Sequence, residues 1–128
     1  MERTNYSSGT EWEDRVGYSR AVRTGDTVRV AGTTATDEDG EIVDGGTYEQ
    51  LRRALKNVER ALERADSEIE DVVRTRMYVT DVDEMEGIAR AHSEFFDDVR
   101  PVTTLVEVER LAAPEMKVEV DVTAVDAE

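Results

Sequence analysis

The chain has 128 residues, enough for one domain with a sizeable core, and it contains no cysteine, which excludes disulfides, thiolate chemistry and cysteine-based zinc sites. Its 31 acidic and 16 basic residues give a net charge of −15, which disfavours nucleic acids and anionic membranes as partners. No apolar run approaches the ~20 residues of a membrane span and no signal segment is evident, so we expect a cytoplasmic protein.

The N-terminal third predicts a loose arm followed by two strands. Residues 1–12 are polar and show no periodicity, so we expect an unstructured arm on a single domain that spans residues 1–128. Residues 18–23 and 27–31 flank a Thr-Gly-Asp turn, and in the second run valines alternate with a charged residue, as in a half-buried strand. The pair Asp39-Gly40 then marks a chain reversal.

Residues 47–64 predict an amphipathic helix. Thr47 is the expected N-cap, because its hydroxyl can accept from an early backbone N–H while Gln50 reaches back, as in a capping box. Behind this cap the apolar residues recur at helical spacing: Leu51, Leu55, Val58, Leu62 and Ala65. Such a stripe requires a sheet to pack against.

A strand and a second helix follow. Residues 69–80 alternate as in a strand, with one face formed by Val73, Thr75, Met77 and Val79 and the other by Arg74, Arg76 and Tyr78. Asp81 is the expected cap of the second helix, with Glu84 three residues later. The apolar stripe of this helix comprises Met85, Ile88, Ala89, His92 and Phe96. Pro101 ends the region, because proline disfavours helix in the residue before it.

Two strands end the chain, at residues 102–108 and 117–125. In the last one, alternation predicts that Val118, Val120 and Val122 face the helices and that Glu119, Asp121 and Thr123 face away. The order of elements predicts an α+β fold in which two helices cover one face of a mixed sheet. Acids and arginines on the other face indicate cross-strand or intersubunit pairing.

Three stretches carry a family resemblance: residues 16–22 with 28–32 (VGYSRAV and VRVAG), residues 76–81 (RMYVTD), and the two C-terminal strands, which begin Arg100-Pro101-Val102-Thr103. They resemble the Rid family of reactive intermediate deaminases, also called the YjgF family, over most of the chain. The resemblance implies a chorismate-mutase-like fold and a homotrimer with three clefts between subunits. In deaminating members the cleft hydrolyses small imines and enamines to keto acids and ammonia without a cofactor.

The resemblance assigns roles to individual residues. Glu119 matches the glutamate that positions the attacking water, Tyr18 matches the cleft tyrosine, and Gly32 matches the glycine before the active-site loop. Two structural roles stay open beside these. Glu119 is also suited to an ion pair with an arginine of a neighbouring strand or subunit. Tyr18 is also suited to the rim of a strand.

Other positions depart from the family pattern. Thr103 stands where deaminating members carry an arginine that holds the substrate carboxylate, and Thr33 stands where many have a glutamine. Ala31 and Ala89 replace a serine and an asparagine. Arg100 is a candidate to replace the missing cation, with a role at the helix C-terminus as the alternative. The substrate-binding set is therefore Tyr18, Gly32, Thr33, Thr103 and Arg100, with Glu119 as the catalytic residue.

These observations predict a Rid-type hydrolase of small imines or enamines that needs no cofactor. The alternative is a non-catalytic trimer that binds a small ligand in the same cleft, because the arginine, serine and asparagine are lost together. Ribonuclease activity, which some members of the family are credited with, is disfavoured by the charge of −15.

No metal site is expected from the residue types. His92 is the only histidine, and it lies at helical spacing with apolar neighbours, as a residue at the edge of a core does. No loop pattern for calcium or magnesium and no phosphate-binding loop is evident.

The dispersed acidic surface predicts dependence on salt. Only two of the basic residues are lysines, Lys56 and Lys117, and this composition is typical of halophilic proteins. Self-repulsion at −15 needs screening by ions. We therefore expect the melting temperature to rise between dilute buffer and molar KCl, measured by circular dichroism; a constant or falling melting temperature would contradict adaptation to high salt.

Overall fold

A six-stranded mixed sheet and three α-helices form the fold in the computed structural model, which describes residues 2–126. The strands are β1 Arg3–Tyr6, β2 Ala21–Thr24, β3 Thr27–Thr33, β4 Val72–Val79, β5 Val102–Glu107 and β6 Val118–Val125. The helices are α1 Glu11–Val16, α2 Thr47–Arg64 and α3 Met85–Phe96. Within the described residues, no helix has the combination of length and apolar composition needed to cross a bilayer. The predicted α+β class is confirmed, with α1 as an additional helix.

The strand order in the sheet is β1-β2-β3-β6-β4-β5. Neighbours are antiparallel except β4 and β5, which run parallel and are connected through α3. The two C-terminal strands are therefore not a hairpin, because β4 lies between them. This order places β6 in the interior of the sheet and β5 at one edge.

The core lies between one face of the sheet and the two long helices. Strand β6 alternates as predicted: Val118, Val120 and Val122 are buried, and Glu119 and Asp121 lie on the opposite face. Helix α2 buries its predicted stripe against β3 and β6, and α3 packs beside α2. The two faces of the sheet are thus an apolar face under the helices and a mixed face without a helix, which we call the open face.

The predicted stripe of α3 is partly wrong. Ile88 and Phe96 are buried, but Met85 and Ala89 are exposed, and Ala91 is buried in their place. After a 3₁₀ turn at Val82–Glu84, α3 begins at Met85, so Met85 lies at its first position, and packing against α2 selects the buried side of the helix.

The predicted faces of β4 are correct except at Val73. The pairing of β4 with β6 shifts register between Val72 and Arg74, so that Val72 is buried and Val73 is 45 % exposed. A β-bulge of this kind inserts one residue and reverses the direction of the side chains before it. Alternation alone, read without the bulge, assigns Val73 to the wrong face.

The bounds of α2 agree with the prediction, but its cap does not. Gly46 is the N-cap, and its N–H donates to the Glu49 carboxylate at 2.8 Å. Thr47 is the first helical residue, and Gln50 is buried, where its amide bonds the backbone at Glu115 and Lys117. At the second helix, Asp81 does cap, by accepting from the Asp83 N–H at the start of the 3₁₀ turn.

The N-terminal segment is ordered, which corrects the prediction of a loose arm. β1 pairs with β2, and α1 follows after a Thr10 N-cap. The Glu13 side chain is buried and accepts from Ser7 Oγ at 2.8 Å, from the Ser8 N–H at 3.1 Å and from the Ser8 hydroxyl. The hydrogen bonds to this buried carboxylate hold together a polar segment that has no apolar periodicity.

Glu13 is held in its charged form. Burial alone raises the pKa of a carboxyl group, but the hydrogen bonds from Ser8 and Ser7 and the charge of Arg20 together lower the pKa of Glu13 below its ordinary value. Because this pKa is lower in the folded chain than in the unfolded chain, Glu13 stabilises the fold above its ordinary pKa. That stabilisation is lost as the pH falls through the lowered pKa.

Replacing Glu13 should loosen the N-terminal segment. We expect Glu13→Ala to lower the free energy of unfolding by roughly 2 kcal/mol, because the donors on Ser7, Ser8 and Arg20 lose a buried acceptor. Urea unfolding in molar KCl measures this, and Glu11→Ala, at an exposed position of the same helix, is the control. Equal effects of the two substitutions would show that the buried carboxylate does not organise the segment.

Candidate functional site

Glu119 lies on the open face of the sheet, above a β-bulge in β3. Val30 pairs with Val122 and Thr33 pairs with Val120, so three residue steps on β3 oppose two on β6. The extra residue leaves Gly32 directly under the Glu119 side chain. A Cβ at position 32 would overlap the Glu119 carboxylate and lie 2.8 Å from its Cδ. The glycine is therefore required for the observed position of the carboxylate.

The environment of Glu119 favours its protonated form. Burial raises the pKa of Glu119 and the negative charge of Asp121, two residues along the same strand face, adds to this, while Arg20 acts in the opposite direction. The net pKa is raised above the ordinary value of a glutamate. A carboxylate with a raised pKa is a stronger base at neutral pH, which suits a residue that takes a proton from water.

Arg20 organises the surroundings of Glu119. Its Nη1 donates to the Gly32 carbonyl at 2.8 Å and to Thr33 Oγ1 at 3.3 Å, and its Nη2 donates to the Tyr18 hydroxyl at 3.3 Å. Its Nε lies 3.5 Å from the Glu13 carboxylate. We call Tyr18, Arg20, Gly32 and Glu119 the Glu119 cluster. Sequence reasoning assigned no role to Arg20, although its position within the Gly-Tyr-Ser-Arg-Ala-Val run was a signal for one.

Tyr18 and Thr33 differ in how accessible they are. Tyr18 is 37 % exposed, so its hydroxyl is able to reach a ligand. Thr33 is buried, and its hydroxyl donates to the Ala31 carbonyl at 2.7 Å while it accepts from Arg20. Within one chain Thr33 therefore shapes the bulge, and its predicted contact with substrate stays a prediction.

Thr103 lies in a second cluster on the helix side of the sheet. Its Oγ1 is 2.9 Å from Thr75 Oγ1, which is also 2.9 Å from His92 Nε2. We call Thr75, His92 and Thr103 the Thr103 cluster. Burial lowers the pKa of His92, so the ring is neutral at neutral pH. The three members of this cluster offer hydroxyl and imidazole groups but no cation.

Arg100 lies near the Thr103 cluster but its side chain is turned to α3. Its Nε donates to the Asp97 carbonyl at 2.8 Å, and its side chain is 79 % exposed. Arg100 and Thr103 line a small cavity of about 200 Å³ that also contains His92. The observed contact is the helix-terminal role that the sequence left open; entry of Arg100 into a substrate cleft stays a prediction.

The structure places the predicted site residues in two groups within one chain. Gly32 lies against Glu119 on the open face, and Tyr18 is connected to Gly32 through Arg20. Thr103 pairs in register with Thr75, and the Thr75 side chain is buried under the helices. The Thr103 side chain therefore lies on the opposite face of the sheet from Glu119. A single chain therefore does not bring the predicted base and the predicted substrate-binding threonine into one pocket. Among residues 2–126, no three Asp, Glu or His side chains converge as a metal site.

Comparison with known proteins identifies the family. The endoribonuclease L-PSP family matches residues 9–126. The chain belongs to the Rid/YjgF family. The protein SCO2049 of Streptomyces coelicolor is 41 % identical over 117 residues, covering 91 % of this chain and 87 % of that protein.

A solved structure and a named relative extend this comparison. The structure of Rv2704 from Mycobacterium tuberculosis, a member of the YjgF/YER057c/UK114 family, superposes with a TM-score of 0.89 at 44 % identity, over 97 % of this chain and 99 % of that one. The mouse 2-iminobutanoate/2-iminopropanoate deaminase is 28 % identical over 109 residues, covering 84 % of this chain and 80 % of that protein. Some Rid relatives of this chain are thus named as imine deaminases, and others are not.

Replacing Gly32 should displace the Glu119 carboxylate. In Gly32→Ala the new methyl group occupies the place of the carboxylate, which swings toward solvent because its side chain is flexible. We expect the pKa of Glu119 to fall toward its ordinary value, with a loss of stability of less than about 1 kcal/mol. Carboxyl ¹³C NMR titration measures the pKa.

The titration of Glu13 in the same spectra is the internal control for this substitution. The Glu13 pKa should stay low in both proteins, because its donors lie in the N-terminal segment. An unchanged Glu119 pKa in Gly32→Ala would show that Gly32 does not determine the position of the Glu119 carboxylate.

Proposed function

We propose that this chain is a homotrimeric hydrolase of small imines or enamines that acts in clefts between subunits. The observation that carries the proposal is the half-buried Glu119 carboxylate, with a raised pKa, above Gly32, whose carbonyl shares Arg20 with the Tyr18 hydroxyl. The relationship to a protein named 2-iminobutanoate/2-iminopropanoate deaminase supports the reaction class.

The open face of the sheet supports the trimer. Val73, Val102 and Val106 are 45 %, 62 % and 40 % exposed and lie on or beside this face. Single chains of soluble proteins rarely leave a sheet face of valines uncovered. The Glu119 and Thr103 clusters also lie on opposite faces of one chain, so a cleft that contains both requires two chains.

The proposed reaction adds water across a C=N bond. Glu119 takes a proton from the water, whose oxygen attacks the imine carbon and forms a carbinolamine. Glu119 returns this proton to the nitrogen, which becomes an amino group and takes up a second proton from solvent. The C–N bond then breaks, an electron pair on the carbinolamine oxygen forms the carbonyl group as its O–H proton passes to solvent, and the nitrogen leaves as ammonia. The Tyr18 hydroxyl, held by Arg20, is placed to orient the reacting group.

The missing arginine limits the substrate in this proposal. Arg20 is the cation of the Glu119 cluster, but three of its N–H groups are hydrogen-bonded and its Nε faces Glu13. At most one of its five N–H groups is left for a ligand, too few for the paired hydrogen bonds that hold a carboxylate. We therefore expect an imine substrate that does not depend on a tightly held carboxylate, and weak turnover of simple 2-imino acids.

An ammonia-release assay tests the proposed catalyst. With 2-iminobutanoate as substrate, Glu119→Gln should lower kcat by about 10²- to 10⁴-fold, because the amide cannot accept the proton. The wild-type rate should rise with pH through the raised pKa of Glu119, since the deprotonated form is the base. Glu115→Gln, at an exposed position, is the control and should match the wild type. Wild-type rates in Glu119→Gln would overturn the proposal.

The alternative is a trimer that binds a small ligand without turnover. The neutral Thr103 cluster, without a cation among its three members, is the observation that favours it. Thr103→Arg separates the two: in a hydrolase it should raise kcat/KM for 2-iminobutanoate by roughly tenfold, since a charge-assisted contact with the carboxylate is regained. Stabilisation by ligands in a thermal-shift assay, with no turnover in the wild type or in Thr103→Arg, would favour the binding protein.

A further inference from the structure

A cavity of about 450 Å³ lies on the helix side of the sheet, between α2 and the segment that follows β3. Four arginines line it: Arg20, Arg53, Arg60 and Arg64. We call it the arginine cavity. Glu119 and Tyr18 are not among its lining residues, but Arg20 and Gly32 of the Glu119 cluster are, so the cavity adjoins the proposed hydrolase site. Its other arginines, Arg53, Arg60 and Arg64, belong to α2 and not to that site, so anion binding between them does not depend on the proposed hydrolysis.

The charge of the arginine cavity is opposite to that of the chain. Arg20 is paired with Glu13, and the other three lining arginines face two carboxylates, Asp37 and Glu38, in a protein whose net charge is −15. Asp37 already accepts from the backbone N–H groups of Asp39 and Glu41 at 2.9 and 3.0 Å. Glu38 is 76 % exposed and lies 3.9 Å from Arg53, at the limit of an ion pair. The carboxylates thus leave the cavity with an excess of positive charge.

Two of the arginines have donors without partners. The Nε of Arg53 is buried and forms no hydrogen bond among residues 2–126. Arg60, about two helical turns further along α2, forms no ion pair within the described chain. Folding removes the Arg53 donor from water without providing an acceptor, which is unfavourable unless a bound group supplies one.

We propose that the arginine cavity binds a small polyanion that carries phosphate or carboxylate groups. Its volume is in the range of small-molecule sites. Guanidinium groups pair with phosphate and carboxylate oxygens through parallel hydrogen bonds, and Arg53 and Arg60 present such donors from one side, along α2. Asn57 lies between these two arginines on α2, and its amide N–H₂ donates to the Thr34 and Thr36 carbonyls. These bonds hold the segment after β3, which forms the other wall of the cavity, against the helix.

Isothermal titration calorimetry with inorganic phosphate and with citrate tests this proposal, at constant ionic strength in molar KCl. We expect Arg53→Gln and Arg60→Gln each to raise the dissociation constant about tenfold, because each removes a charge-assisted hydrogen bond. Lys56→Gln is the matched control: it removes the same charge from the same helix, but Lys56 does not line the arginine cavity. The tighter of the two probes distinguishes a phosphate ligand from a carboxylate ligand.

The result that overturns the proposal is equally specific. If neither anion binds the wild type, the arginines form no anion site. If Lys56→Gln weakens binding as much as Arg53→Gln, the anion binds through general attraction or in the neighbouring cavity that Arg53, Lys56 and Arg60 line, and not in the arginine cavity. If binding occurs but neither Arg53→Gln nor Arg60→Gln changes it, the anion binds elsewhere and the arginine cavity is not its site. Arg60 is exposed, so Arg60→Gln should keep the wild-type circular dichroism spectrum and give a valid comparison even if Arg53→Gln is unstable.

Discussion

The Arg20 guanidinium is the contact on which the arrangement of the site depends. It connects three segments that are distant in the sequence: the N-terminal segment through Glu13, the start of β2 through Tyr18, and the bulge of β3 through the Gly32 carbonyl. Its partners are a buried carboxylate and backbone or hydroxyl oxygens, so its charge is compensated within the chain although its side chain is 17 % exposed. A change at any of these contacts would be transmitted to the position of Glu119.

The bulge and the pairing of β6 place the predicted base where its pKa is raised. Glu119 faces away from the core because β6 alternates, and it is half-buried because the bulge brings Gly32 beneath it. Its neighbour Asp121 is engaged by Arg76 at 2.9 Å and by the Tyr78 hydroxyl at 3.1 Å. The sequence left two roles open for Glu119, which are catalysis and an ion pair with a neighbouring arginine. Asp121 forms an ion pair, and Glu119 forms none with any arginine of residues 2–126.

Periodicity predicted the elements that bury apolar side chains. The bounds of α2 and the two faces of β6 follow from the spacing of Leu and Val, because burial of these side chains supplies most of the free energy that forms both elements. Val73 was assigned to the wrong face because a bulge depends on pairing with another strand, which spacing within one strand does not report.

The N-terminal segment and Arg20 escaped prediction for a different reason. Glu13 and Arg20 are charged residues that are buried through hydrogen bonds, and sequence patterns assign charged residues to the surface by default. The resemblance to the Rid family supplied Glu119, Tyr18 and Gly32; Gly32 lies against Glu119, and Arg20 bonds both Gly32 and Tyr18. The resemblance did not supply Arg20, because it assigned roles only to positions that match the site residues of the family.

The net charge of −15 and the proposed binding of an anion are compatible if the protein works at high ionic strength. At molar salt the Debye length is about 3 Å, so the acids spread over the surface do not repel an approaching anion beyond direct contact. Arginines at hydrogen-bonding distance from an anion keep their attraction for it, because salt ions do not fit between two groups in direct contact. In dilute buffer the same surface would repel the anion over about 30 Å and slow its association. The predicted dependence on salt and the proposed anion binding in the arginine cavity are therefore compatible: the acids act over the distance that salt screens, and the arginines act at contact.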